Sequence, residues 1–251
     1  MTVLPSNQQA AFCALFLVAL TWHAGTYAQS DFPASPVRLI NPYSPGGSVD
    51  LVGRAVATGL SQIWGQQVIV DNRPGAGTQI GTEMVARADG DGSIMPCNSS
   101  AIAIMPAIYR NMRFDTVRDL TPIIHAAYSA PMLGVHPSVP AKSVKELIAL
   151  AKAQPGKISA PDIPTVAEAG VPGFEASSWF GFYGPRTLTP QLAQRWNDAI
   201  NQYLKSPQAL AYFAKQHMST TGGTRASFAS YHLSETTRWS KLVAIVGVQP
   251  Q

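Results

Sequence analysis

Pro45-Gly46-Gly47-Ser48, with Asp50 two residues further on, is the stretch of this chain whose residue types can do recognition chemistry. It follows Val37, Leu39 and Ile40, apolar positions that suit a short buried strand, and it leads into a helix pattern that opens at Ser48. A helix start leaves backbone N–H groups without intrahelical partners and carries a partial positive charge, so an anion's oxygens can lie against Gly46, Gly47 and Ser48. Asp50, being acidic, suits a first-turn helix partner or a brace for the loop better than a direct contact to a carboxylate. The same residues also fit an ordinary βα turn in which the glycines only permit the bend, and the motif alone leaves both readings open.

Catalytic spacing is missing elsewhere. The sequence holds no Gly-x-Ser-x-Gly elbow, Walker-type loop, His-Glu-x-x-His pair or Cys-x-x-Cys pair. His125, His136, His217 and His232 lie far apart and read as surface or satisfied structural residues. Gly75-Ala76-Gly77-Thr78-Gln79-Ile80-Gly81 approaches a dinucleotide fingerprint, but its last spacing is one residue too long. Cys97 has no adjacent base and reads as a passive thiol in a loop. With no nucleophile, base or metal constellation, an enzyme is not expected, and no cofactor is implied.

The chain has 251 residues with 18 Lys and Arg against 14 Asp and Glu, a net charge of +4 that favours anionic partners in a general way. The basic residues are scattered singly, so no nucleic-acid surface is expected. Residues 1–30 contain no charged side chain, and Ala10 to Leu20 is an apolar run too short to span a bilayer. Residues 1–28 therefore read as a secretory signal cleaved after Ala28, atypical in lacking Lys and Arg near its start. A periplasmic protein is expected, with no stable membrane insertion after cleavage. Cys13 leaves with the signal, so Cys97 has no intramolecular partner for a disulfide.

The elements that must position the glycine loop follow from periodicity. A helix from Ser48 to Trp64 carries Val49, Val52, Val56, Leu60 and Ile63 on one face and stops at Gly65. Gln67 to Asp71 reads as a second strand, and after the turn 72–77 a second helix bears Ile80, Met84, Val85 and Ala88. The βαβα order implies parallel strands. Ser93 to Met95 should form a third, stopped by Pro96 and opening into the polar loop Cys97-Asn98-Ser99-Ser100 at the carboxyl edge of the sheet, where open parallel sheets bind ligands. TPIIHAAY and MLGVH, between Thr121 and His136, read as strands. A helix capped by Ser143 and Glu146 should follow and end near Gly156, and a short one capped by Thr165 and Glu168 comes later. Glu175 to Tyr183 is β-prone, and Thr189, Ser206 and Thr224 each precede a helix.

Three stretches together carry a resemblance: PVRLINPYSPGGSVDLVGRAVATGLSQIWGQQVIVDNRPGAGTQIGTEMVARADGDG, SVKELIALAKAQPGKIS and DIPTVAEAGVPGFEASSWFGFYGP. PGG-x-x-D, NRPGAG and DIPTVAEAG in this order resemble the extracytoplasmic receptors of tripartite tricarboxylate transporters, the Bug (Bordetella uptake gene) family. The resemblance runs from Phe32 onward. It implies an α/β, periplasmic-binding-protein-like (type II) two-lobed fold and a small organic carboxylate held between the lobes, with membrane transporter subunits as partners. It also implies two ligand loops, Pro45, Gly46, Gly47, Ser48 and Asp50 in one and Asn98, Ser99 and Ser100 in the other.

One departure bears on function. Members of that family continue after the stretch matching GKIS with a strand, a Gly-Asn-Gly-Thr-like loop, a helix and further segments, whereas here Ser159 abuts Ala160. The resemblance thus implies a truncated second lobe: residues 31–120 plus 183–251 as the first lobe, and 121–182 as the residual second lobe and crossover strands. The expected function is solute binding with impaired affinity. The alternative is a first-lobe interaction or regulatory module, or a decayed paralogue without ligand binding. Asn41 in the first strand and Pro96 in the third are smaller departures.

Overall fold

The structure is a computed structural model that describes residues 32–130, 135–153 and 177–250. Two compact units divide the chain, Met1–Ala34 and Ser35–Gln251, and the sheet and the site belong to the second.

β1 (Val37–Asn41) buries Val37, Leu39 and Ile40. α1 (Ser48–Trp64) packs its Val49, Val52, Val56 and Leu60 stripe inward. Gly65 ends it in the left-handed region at φ 65°, donating its N–H to the Ser61 carbonyl, a conformation that costs glycine little. β2 (Val68–Asn72) lies one residue later than its apolar pattern suggests. β3 (Ile94–Ser99) and β2 flank β1, both parallel to it. The rest of the sheet is antiparallel. Its order is β2-β1-β3-β5-β4-β6, built with β4 (Leu120–Ser129), β5 (Ser178–Pro185) and β6 (Ser219–Thr220). β5 runs antiparallel to both β3 and β4, and Ser129 sits opposite Ser178 at one end of the β4–β5 pair.

Two expectations about the first half are corrected. Pro96 does not stop the third strand, and Cys97, Asn98 and Ser99 are strand residues rather than a loop. Pro96 is the last residue of β3 to pair with β1, opposite Ile40, and Cys97 is the first to pair with β5, opposite Phe182. The ring thus falls where the strand changes partners, the place where a missing N–H disrupts least. In α2 (Gln79–Ala86), only Val85 of the expected Ile80–Met84–Val85–Ala88 stripe is buried, beside Gly81 and Thr82, and Ile80 is 55% exposed. Gly81 explains the rotation. A Cβ there would stand 2.8 Å from the Arg73 carbonyl oxygen and 2.9 Å from Pro42 Cβ, so only glycine lets this face approach.

The remaining α-helices among the described residues are α3 (Ala101–Ile108), α4 (Val144–Ala153), α5 (Pro190–Leu204), α6 (Pro207–Lys215) and α7 (Arg225–Val246). Thr189, Ser206 and Thr224 cap the last three through side-chain oxygens that accept from Leu192, Ala209 and Ser227 N–H. At α4, Ser143 Oγ accepts from Glu146 N–H, but the Glu146 carboxylate reaches Lys142 N–H, one residue before the position a capping box uses. α7 packs on α3 and β4, and Ile102, Leu120, Trp179, Tyr183 and Phe228 form a buried cluster between them. α1 packs on α5, where a Cβ on Gly59 would stand 2.0 Å from the Tyr203 ring. Most of MLGVH, the expected end of α4 at Gly156, the Ser159–Ala160 junction and the helix expected at Thr165 and Glu168 lie outside the described residues.

Candidate functional site

The loop between β1 and α1 is held from beneath by one carboxylate. Asp50 is 3% exposed and accepts four hydrogen bonds. Oδ1 takes Asn41 Nδ2 (3.1 Å) and Asn72 Nδ2 (2.9 Å), and Oδ2 takes Gly46 N (3.0 Å) and Arg54 Nε (2.8 Å). The end of β1, the glycine turn, the second turn of α1 and the end of β2 are thereby tied to one group. Burial works against the ionised form, but the bonds from Arg54, Gly46, Asn72 and Asn41 outweigh it and hold the carboxyl well below the usual carboxylate range. A carboxylate offers about four lone-pair sites, and all four are engaged. Asp50 therefore braces the loop, with Asn72 Nδ2 also donating to the Tyr43 carbonyl.

This brace corrects the expected donor set, because Gly46 N–H points down at Asp50 and is withdrawn from the outer face. Pro45, Gly46, Gly47 and Ser48 are exposed. Gly47 occupies the N-cap position of α1 and has no side chain to cap it, so among the described residues the N–H groups of the first turn remain open to an external acceptor.

The second stretch is tied to the first by a residue that spacing did not single out. Tyr43 Oη lies 3.0 Å from Asn98 Oδ1 and 2.6 Å from Ser99 Oγ. Asn98 is fully buried, and its Nδ2 donates to Thr82 Oγ1 (3.0 Å), whose hydroxyl donates to the Thr78 carbonyl (2.8 Å). Ser99 Oγ accepts from Ala101 N–H at 3.3 Å. Ser100 is the N-cap of α3, donates its N–H to the Trp179 carbonyl and makes no cap with its hydroxyl. Pro45 to Ser48 and Ser99 to Ser100 thus meet at the carboxyl edge of adjacent parallel strands, with Asp50 and Asn98 beneath them. Asn72 was visible as the first residue of NRPGAG; Tyr43, Thr78 and Thr82 had no comparable signal.

Cys97 is fully buried in β3, and burial first, then the Asp50 charge, pushes its thiol far above the ordinary range. His125 and His232 depart from the expectation of surface or satisfied histidines, because among the described residues Nε2 of each is buried without a hydrogen-bond partner, although the His125 ring also bonds the Ala127 backbone. Aromatic packing also holds both rings: His125 stacks on Tyr231 with centroids 5.1 Å apart, and His232 meets Tyr183 edge-on at 5.3 Å.

Residues 52–160 and 159–248 match the family described as tripartite tricarboxylate transporter family receptor, TctC. The chain belongs to that family. Protein BugT of Bordetella pertussis (strain Tohama I) is 24% identical over 311 residues, covering 92% of this chain and 95% of BugT. The fold is similar to that of R. palustris Rpa4515 with adipate, with a TM-score of 0.77 at 23% identity, covering 88% of this chain and 100% of that one. It is also similar to the periplasmic binding protein BugD, with a TM-score of 0.72 at 19% identity, covering 88% of this chain and 100% of BugD. The architecture is that of a type II periplasmic binding protein, and the family consists of periplasmic solute-binding receptors rather than enzymes. Among the described residues no helix is long and apolar enough to cross a membrane.

Proposed function

We propose that this protein is an extracytoplasmic receptor for a small organic carboxylate, serving the membrane subunits of a tripartite tricarboxylate-type transporter, and that it holds its solute weakly. The observation that carries the reading is the uncapped start of α1, presented by a loop that Asp50 and Tyr43 fix in place. Gly47, Ser48, Ser99 and Ser100 form the ligand-facing set, and Pro45, Gly46, Asp50 and Asn98 position them. That Rpa4515 is described with adipate supports a carboxylate as the solute class. An anion at this edge gains from backbone donors and from the helix start.

Weak binding follows from a missing wall. Residues 31–120 and 183–251 make the first lobe, and 121–182 keep only a remnant of the second. The family matches this chain in two pieces that meet at residues 159 and 160. The BugT alignment runs over 311 residues although it takes in 92% of a 251-residue chain, so BugT carries residues with no counterpart here. A receptor encloses most of its ligand, and loss of one wall removes contacts and admits water. Calorimetric titration with citrate, glutamate, malate and nicotinate checks this. Millimolar affinity for one of them is expected, and micromolar affinity for any would overturn the impairment.

A second reading, an interaction module without ligand, is favoured by one observation. The end of α7 exposes Ile245 (79%) and Val246 (73%), with Val248 beyond it. Light scattering after size exclusion discriminates, since a clean monomer counts against it.

A further inference from the structure

The polar chain beneath the two loops has a direction, and that direction constrains the solute. The Thr78 carbonyl can only accept, so the Thr82 hydroxyl donates to it, and Thr82 Oγ1 must then accept from Asn98 Nδ2. The Ser99 backbone N–H can only donate, and it meets Asn98 Oδ1 at 2.9 Å, which fixes the same amide orientation independently. Asn98 Oδ1 is therefore an acceptor, and the Tyr43 hydroxyl, 3.0 Å away, donates to it. With that hydrogen placed, the 2.6 Å contact between Tyr43 Oη and Ser99 Oγ needs the Ser99 hydrogen. Ser99 Oγ in turn accepts from Ala101 N–H. The Thr78 side chain and the Ser99 backbone also donate toward Tyr43 Oη, so Ser99 Oγ is the oxygen left with a lone pair and no hydrogen to offer, and Ser99 is partly exposed.

We propose that Tyr43 turns the Ser99 hydrogen away from the cleft and makes Ser99 Oγ a hydrogen-bond acceptor beside the Ser100 hydroxyl, so that the solute is a carboxylate that also carries a hydroxyl or ammonium group. This rests on the carboxylate-receptor reading. The first turn of α1 supplies donors to the carboxylate, whereas a second bare carboxylate at Ser99 Oγ would set lone pair against lone pair. Tyr43 is a positioning residue whose effect passes through Ser99.

NMR-detected titration with malate and with succinate, which differ by one hydroxyl, tests the solute class on the wild-type protein and on Tyr43→Phe. Malate should bind the wild type about tenfold more tightly than succinate, as expected of one well-placed hydrogen bond to a partly buried polar atom. In Tyr43→Phe the Ser99 hydrogen is freed and the ratio should fall toward one. Succinate binding as well as malate to the wild type, or an unchanged ratio in the variant, overturns the proposal. A ligand-free arm tests the Tyr43–Ser99 contact through the titration of Tyr43 in protein labelled with 13C at the tyrosine Cζ, its signal assigned by its loss in Tyr43→Phe. Ser99→Ala should raise the Tyr43 pKa, because the phenolate loses a donor; an unchanged or lower value means that the contact is not made and overturns the assignment. If malate, succinate, citrate, glutamate and nicotinate all fail to bind, the receptor reading fails and the solute class fails with it, while the ligand-free arm still tests the contact.

Discussion

Four donors converge on Asp50, and what they need is an atom that accepts on every side. Asp50→Ala should destabilise by roughly 2–3 kcal/mol in urea titration, the magnitude for charged hydrogen bonds whose partners are left unmade. Asp50→Asn should be no milder, because its amide nitrogen would face either the two asparagine amides or the Gly46 and Arg54 donors. The pH dependence has a definite sign. The folded carboxyl titrates below its unfolded value of about 4, so this stabilisation is full above pH ~4 and is lost as pH falls through the folded value. The acidic residue after PGG was legible as a brace because helix starts favour carboxylates in the first turn. Tyr43 was not legible: its role depends on the register that brings β3 beside β1, and an aromatic ring in a loop carries no spacing signal of its own.

At the scale of elements, caps and close approaches carry the testable content. Thr189→Ala and Ser206→Ala should each cost about 1 kcal/mol by chemical denaturation, since each removes the oxygen that satisfies an N–H at the start of its helix. Gly59→Ala should cost about 1–3 kcal/mol, because its methyl must push α1 off the Tyr203 ring of α5. The bounds of α1 and the starts of α5, α6 and α7 could be read from capping residues and apolar periodicity, which are local properties. The inward face of α2 could not, because Gly81 admits close contact with Arg73 and Pro42 and so outranks the apolar stripe. Pro96 misled for a related reason: whether a proline ends a strand depends on which neighbour needs its N–H, and that is settled by a β5 strand some eighty residues later.

For the molecule as a whole, acid sensitivity should begin well above the carboxylate range. Burial holds His232 down to about 4, with Asp115 pulling weakly the other way. The unfolded chain takes up that proton below pH ~6.5, so the stabilisation is full above ~6.5 and is lost between there and ~4, on the order of 3 kcal/mol in all. Denaturation midpoints at pH 7.5 and 4.5 should differ accordingly, and His232→Asn should flatten the difference. The parallel first half was legible because alternating strand and helix patterns dictate it. The antiparallel second half was not, since β5 enters from beyond a long excursion.

That excursion leaves and rejoins the sheet at Ser129 and Ser178, which are cross-strand neighbours. Seen from the sheet, the chain between them is a graft on a hairpin whose own strands are already in register, and its length is of little thermodynamic consequence. Exchanging residues 130–177 for a tight two- to four-residue turn should leave a cooperatively folding protein with the same β4–β5 pairing, checked by amide exchange along those strands. The gene can therefore shed or swap the segment between these two serines in one event and leave the β4–β5 pairing intact. Selection for a stable sheet does not guard that segment; only selection for what the segment itself contributes does.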